Sequence, residues 1–261
     1  MMRFIRLGCF AAIVCALCFA CGSAPPSTNL SYGDKAKQAY EVAMNDFRDE
    51  NCVDAEAQFR NIRRKYSYSR YAALAELRLA DCMFTEDKFV EAIQAYRDFL
   101  RARPSHTEVP YAEFKIAEAY YKQIPEGWIL SPPAYQRDQG PTRRALEQLR
   151  HYMMNYSNHD RLQDAKTMQR KALALLAQHE LSVAEFYLSR DQPRAAIGRL
   201  QTVLNAYQGS GLEARAMFAL AKTLLSLKEK SKAKETFTVL LQRYPKTEYA
   251  EQARSYLIEL H

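Results

Sequence analysis

Glycine is scarce in this sequence, at 8 of 261 residues, and the runs of Val, Ile and Thr that build strands are missing, as are closely spaced turn signals. These absences exclude a β-sandwich, a barrel and a doubly wound α/β sheet, which need β-branched runs punctuated by turns. The usual marks of site chemistry are missing too. The five histidines (106, 151, 159, 179 and 261) have no metal-ligand spacing, and no His-Glu-x-x-His occurs. Beyond residue 20 there is no Cys-x-x-Cys to hold zinc. No glycine-rich phosphate loop is present, and Gly209-Ser210-Gly211 lacks the strand–turn–helix setting of a hydrolase nucleophile. Carboxylates are many, but no two stand out as an acid–base pair. The expectation is a protein without metal, cofactor or catalytic activity.

What is present is 48 % hydrophobic residues, 26 % charged residues, and an abundance of Ala, Leu, Gln, Glu, Arg and Lys. That composition can bury a core, and it reads as all-α. The N-terminus is a separate matter. Arg3 and Arg6 precede fourteen uncharged residues, Leu7 to Ala20, short of the about 20 that span a bilayer but suited to a secretory signal. The run closes on Leu17-Cys18-Phe19-Ala20-Cys21-Gly22-Ser23, which resembles a bacterial lipobox with Cys18 where Leu is usual. Cys21 is the expected lipid acceptor and new N-terminus, and Gly22 after it lacks the Asp that retains such proteins in the inner membrane. Cleavage without lipid is the plainer alternative. Removing residues 1–20 takes two arginines and lowers the formal charge from +7 to +5. The remaining Lys and Arg are interspersed with Asp and Glu, so nucleic acid is not the expected partner.

Residues 21–33 read as a flexible tether. From Asp34 on, helix-period segments come in pairs whose small residues match the tetratricopeptide pattern. Ala at the crossing of two antiparallel helices is needed because any bulk there would push them apart. Five units match: Ala43 with Ala55, Ala80 with Ala92, Ala117 with Ala145, Ala184 with Ala196, and Ala221 with Ala233. Pro104 and Pro245 end the second and fifth. The second-helix alanines are spaced by 37, 53, 51 and 37 residues, so two intervals fit the ~34-residue period and two are long. In the third unit, residues 123–142 hold four of the ten prolines and the only tryptophan, Trp128, and are expected to form a structured insertion loop. Before the fourth, Asp160 to Arg190 has neither Gly nor Pro and is expected to be one long helix. Thr247 to Leu260 is expected to cap the stack. The expected fold is therefore a solenoid of five helix pairs plus a capping helix, with N-terminal repeats over 34–157 and C-terminal repeats and cap over 158–261.

Repeats of this type line their concave groove from fixed positions of each first helix. Carried onto this chain, those positions are Tyr40, Met44 and Phe47, then Leu77 and Phe84, then Tyr111, Phe114 and Tyr121. A groove for an extended peptide with aromatic side chains is one reading; ordinary core packing of each residue is the other. Cys52 and Cys82 survive export as an even pair. They are expected either to form a disulfide across adjacent repeats or to remain two buried thiols.

The segment Leu176-Ala-Gln-His-Glu-Leu-Ser-Val-Ala-Glu-Phe-Tyr, with Ala195-Ala196-Ile197-Gly198-Arg199-Leu200 after it, resembles the BamD family of tetratricopeptide lipoproteins. The insertion in the third repeat, Arg137-Asp138-Gln139 and the total of five repeats after a lipidated Cys fit the same family. The resemblance covers essentially residues 18–256; the Cys52/Cys82 pair is a departure from it. It implies a scaffold held by lipid on the periplasmic face of a Gram-negative outer membrane. There the N-terminal repeats would engage C-terminal targeting strands of unfolded outer-membrane proteins. The C-terminal repeats would dock on a BamA-type barrel protein among other assembly-machine lipoproteins, with Arg199 as the contact; Arg199 paired within its own helix is the plain alternative. Another repeat lipoprotein, such as a secretin pilotin or a cell-division coordinator, would share fold and anchor.

Overall fold

The computed structural model describes residues 30–125 and 132–260. The signal segment, Cys21 and Trp128 lie outside them. Eleven α-helices occur among the described residues: α1 (Tyr32–Arg48), α2 (Cys52–Lys65), α3 (Arg70–Thr85), α4 (Phe89–Ala102), α5 (Val109–Lys122), α6 (Gly140–Asn155), α7 (Leu162–Ser189), α8 (Pro193–Ala206), α9 (Glu213–Ser226), α10 (Lys230–Arg243) and α11 (Glu248–Glu259). Each packs on the next, and α1 on α3, α5 on α7 and α9 on α11 as well. Five antiparallel pairs therefore stack side by side, closed by α11, as a tetratricopeptide solenoid. Helix α1 starts at Tyr32, slightly inside the expected tether, because Ser31 caps it by accepting from the Asp34 N–H at 3.2 Å.

The alanines that define the repeats do what the crossing requires. Ala43, Ala55, Ala80, Ala92, Ala117, Ala145, Ala196, Ala221 and Ala233 are wholly inaccessible, and Ala184 is 1 % exposed. One or two turns on in each second helix sit the large plugs of the core: Phe59, Tyr96 with Phe99, Leu149 with Tyr152, Leu200 with Val203, and Phe237 with Leu240. Burying each such side chain is worth about 1.5–3 kcal/mol.

The turn inside a repeat is equally regular. In units one, two, four and five a single non-glycine residue, Glu50, Asp87, Asp191 or Lys228, takes a left-handed conformation with φ of 55–62°. At Glu50 its N–H bonds the Phe47 carbonyl at 3.2 Å, while Asn51 N–H reaches back to Asp46 O at 2.9 Å. The same pair of hydrogen bonds recurs at Asp87/Lys88, Asp191/Gln192 and Lys228/Glu229, a Schellman closure that satisfies the last carbonyls of the first helix. Unit three replaces this turn with the expected insertion, of which Ala134–Gln136 form a 3-10 turn. That turn rests on α7, where His179 Nδ1 lies 2.7 Å from the Tyr135 carbonyl. Helix α7 is the long helix expected, at 28 residues. Its first half packs through Ala165 and Met168 on α5 and α6, and its second through Ala177, Leu181 and Ala184 on α8 and α9. One rigid rod of about 42 Å thus joins the two sets of repeats.

Candidate peptide groove and docking cleft

The eight residues expected to line one continuous groove separate into four groups. Leu77 is wholly buried in the core of the second repeat, so it lines no groove. The repeat template marks a position on the helix face but not its depth, and here the neighbouring pair covers it. Tyr40, Met44 and Phe47 are half-buried and pack on the first-repeat core around Phe59. Phe84 is half-buried beneath the Lys115 ammonium, whose Nζ stands 3.4 Å from the ring centroid. This cation–π contact bridges α3 and α5. Tyr111, Phe114 and Tyr121 converge on a cleft of about 430 Å³ between α5 and α7.

That cleft has a chemical character invisible in the sequence. Phe114, Tyr121, Tyr111 and Met168 give it an apolar floor, and its rim is charged. Two of the rim cations are matched: Lys115 pairs with Glu118 at 2.7 Å and Arg161 with Asp164 at 3.2 Å. Lys122 and Lys171, both exposed, pair with no carboxylate among the described residues. An aromatic floor under two uncompensated ammonium groups suits a ligand that carries an aromatic side chain and a negative charge close together.

The wall beside the cleft is fixed by a buried ionic cluster. Asp81, 3 % exposed, accepts from the Tyr96 hydroxyl at 2.5 Å and the Tyr111 hydroxyl at 3.0 Å, and forms an ion pair with Arg78. Arg78 in turn donates through Nε to the Tyr40 hydroxyl and through Nη1 to the Tyr111 hydroxyl, both at 3.3 Å. Side chains from α3, α4 and α5 thereby meet at one carboxylate, and α1 joins them through Arg78. Burial, then the charge of Asp81, pushes the Tyr96 and Tyr111 hydroxyls far above the usual phenol range. Two of the expected groove residues, Tyr40 and Tyr111, thus brace the wall.

Cys52 opens α2 and Cys82 lies in α3, both buried in the same core cluster with their thiols in mutual contact. The juxtaposition expected across adjacent repeats is present, whereas both sulfurs are free thiols with no bridge between them. Burial, then the contact with Cys52, pushes the Cys82 thiol up, which disfavours the thiolate that disulfide exchange requires.

In the C-terminal repeats Arg199 projects from α8 with its side chain 44 % exposed and donates to Glu180 of α7 at 3.2 Å. The pairing runs between helices, where the plain expectation placed it within one, and it neutralises a carboxylate that is 4 % exposed. The hydrogen bond to Glu180 holds the guanidinium above its usual range. A face of α8 away from Arg199 borders a second cleft, of about 510 Å³, floored by Ile197, Leu204, Met217, Leu220, Leu224 and Val239 and rimmed by Arg194, Glu229, Lys232 and Glu235. Its apolar spacing, i, i+3 and i+7 on a helix, was present in the sequence but indistinguishable from ordinary core. Among the described residues no cluster of His, Cys, Asp or Glu could hold a metal ion, and no helix is long and apolar enough to cross a membrane.

Residues 33–236, most of the chain, match the family described as YfiO, outer membrane lipoprotein. The chain belongs to that family. Curated relatives carry the name outer membrane protein assembly factor BamD. The one from Caulobacter vibrioides is 25 % identical over 236 residues, covering 90 % of this chain and 75 % of the relative. The one from Neisseria gonorrhoeae is 21 % identical over 254 residues, covering 97 % and 95 %. Among solved structures, the TPR2AB-domain:pHSP90 complex of yeast Sti1 aligns over 86 % of this chain and 83 % of that one, with 13 % identity and a TM-score of 0.45.

Proposed function

We propose that this member of the YfiO family is a non-catalytic scaffold of outer-membrane β-barrel assembly, anchored by lipid on Cys21 to the periplasmic face of the outer membrane. Its N-terminal repeats bind the C-terminal targeting strands of unfolded outer-membrane proteins. Its C-terminal repeats dock on periplasmic domains of the barrel-forming subunit, through Arg199 and the aliphatic cleft beside α8. The observation that carries this reading is the α5–α7 cleft, with its aromatic floor and the uncompensated Lys122 and Lys171. A strand that ends in an aromatic residue presents a ring and a terminal carboxylate within one residue of each other. The cleft offers complementary groups for both.

The test uses a peptide ending in Phe, as free acid and as C-terminal amide, titrated against the protein and its Lys122→Glu/Lys171→Glu variant. A charge-assisted contact is worth about 1.5–3 kcal/mol, so amidation or the double reversal is expected to weaken binding about tenfold or more. Equal affinity of acid and amide would refute the assignment of the cleft. For the partner, capture of a barrel protein on the tagged scaffold supports the reading, and capture of a secretin ring in its place overturns it. Labelled palmitate entering the protein but not Cys21→Ala tests the anchor.

A further inference from the structure

We infer that the corner between α2 and α3 is a membrane-contact patch that lies on anionic phospholipid headgroups. From Ala57 to Ala75 the chain contains five Lys or Arg and not one Asp or Glu. Arg60 pairs with Glu56 at 2.6 Å, but Arg63, Arg64, Lys65 and Arg70 are exposed and pair with no carboxylate among the described residues. The next carboxylate along, Glu76, is taken by Arg103 at 2.6 Å. Between these cations the connection carries Tyr68, 97 % exposed, a ring that nothing in the fold covers. Basic side chains around an exposed tyrosine match the charge and depth profile of a bilayer interface.

The position of the corner identifies the occupant. The N-terminus of α1 meets the C-terminus of α2 here: Tyr32 donates to the Lys65 carbonyl at 3.3 Å and its ring lies 5.4 Å from that of Tyr66. The chain therefore leaves the solenoid beside the patch. Ten residues lie between Cys21 and Tyr32, and even fully extended the eleven steps reach no more than about 40 Å. A lipid on Cys21 keeps this edge within about 40 Å of the bilayer, and the opposite edge, where α4 begins, lies a helix length of about 24 Å from it. Acyl chains and a polybasic patch act together as two anchoring signals. The inference rests on the lipid anchor proposed above, and goes beyond it in fixing which edge faces the membrane.

The experiment uses the full chain, processed by export, with a fluorophore on Ser67→Cys in the patch or on Val90→Cys, exposed at the start of α4. Native Cys52 and Cys82 are buried and escape the label. On vesicles of phosphatidylethanolamine and phosphatidylglycerol, bromine-labelled lipid is expected to quench the fluorophore at 67 and not at 90. The quenching is expected to vanish on pure phosphatidylcholine and in the Arg63→Glu/Arg64→Glu/Lys65→Glu variant while the protein still floats with the vesicles. No quenching at 67, or quenching indifferent to lipid charge or to the triple reversal, overturns the patch. Failure to float with phosphatidylcholine marks failure of the anchor alone. The patch is then judged by flotation on the anionic vesicles: at about fivefold per basic side chain, reversal is expected to cost at least a hundredfold, and an unchanged partition overturns it.

Discussion

The N-terminal and C-terminal repeats bury carboxylates on the same scaffold but satisfy them differently. In the first three repeats Asp81 gathers Arg78, Tyr96 and Tyr111 directly and Tyr40 through Arg78, drawing on four helices. In the last two, Glu180 has one arginine on the following helix, and Glu213 accepts from the backbone N–H groups of Gly209 and Ser210 in its own loop, at 2.5 and 3.1 Å. The first arrangement ties successive repeats into one body beside the aromatic cleft; the second is local. In a solenoid, whose stability is a sum of repeats and nearest-neighbour interfaces, a cluster spanning three repeats is expected to make them unfold together. A binding surface assembled from several repeats gains a fixed shape from that coupling.

Asp81→Ala and Glu180→Ala are expected to differ most in their cost to stability. The first leaves Arg78 with a buried, uncompensated charge and two tyrosine hydroxyls without their acceptor, and is expected to cost about 3–5 kcal/mol. The second frees Arg199, whose side chain is 44 % exposed and can hydrate, at an expected cost of about 1 kcal/mol or less. Urea unfolding of the two variants measures the difference, and hydrogen exchange should show α1 to α5 opening together in the first. Equal losses would mean that the cluster couples nothing.

Alkaline pH probes the same asymmetry. The largest upward shifts, at Tyr96, Tyr111 and Tyr152, all lie in the N-terminal repeats, where burial pushes each hydroxyl up, Tyr152 to about 12, while burial raises Tyr244 and Tyr249 of the C-terminal half less. A folded-state value above the unfolded one means that the native state holds protons which the unfolded state releases. Stability is therefore intact below about pH 10, the unfolded tyrosine value, and is lost as pH rises through the folded values, by about 1.4 kcal/mol per pH unit for each such group. Hydrogen exchange or limited proteolysis stepped upward from about pH 10 should find repeats 1–3 opening before repeats 4 and 5. The reverse order would place the alkaline weakness elsewhere.

What was legible in the sequence follows the same divide. The alanine pairs gave away the helix crossings because only a methyl fits there, and the Gly- and Pro-free stretch gave away α7. The groove was legible only in part. Leu77 occupies a template position that the neighbouring repeat covers, while Tyr111 and Tyr121 do line a cleft. Lys122 and Lys171 look like any solvated lysine until α5 and α7 are brought together. Asp81 looks like any helical acid until Tyr96 and Tyr111 arrive from the next two helices. Such features depend on contacts 15 to 49 residues apart in the chain, which periodicity does not encode.

The thiols give a smaller effect, confined to the N-terminal repeats. Cys52 and Cys82 are buried and burial pushes the Cys82 thiol up, so both are expected to resist alkylation in the folded protein and to react once it unfolds. Their alkylation rates should rise with Asp81→Ala and not with Glu180→Ala, since both sulfurs share the core cluster of α1 to α3. Rapid labelling of the unaltered native protein would contradict that burial.

The smallest expected effect is one in which the two regions should not differ. Glu50 and Lys228 hold the same left-handed position, φ 61° and 62°, in the same Schellman turn of the first and the fifth repeats. An L-residue with a Cβ pays about 1 kcal/mol or more there, which glycine avoids, though glycine gives back about 0.4–1 kcal/mol through its freer unfolded chain. Glu50→Gly and Lys228→Gly should therefore each change stability by less than about 1 kcal/mol, in the stabilising direction and by matching amounts. The match is the informative part, because the turns are set by local backbone geometry while the regions differ in long-range side-chain coupling. A clear gain at Lys228 with a loss at Glu50 would show that the coupling of the first three repeats extends into their turns, and the boundary between local and shared stability would have to be redrawn there.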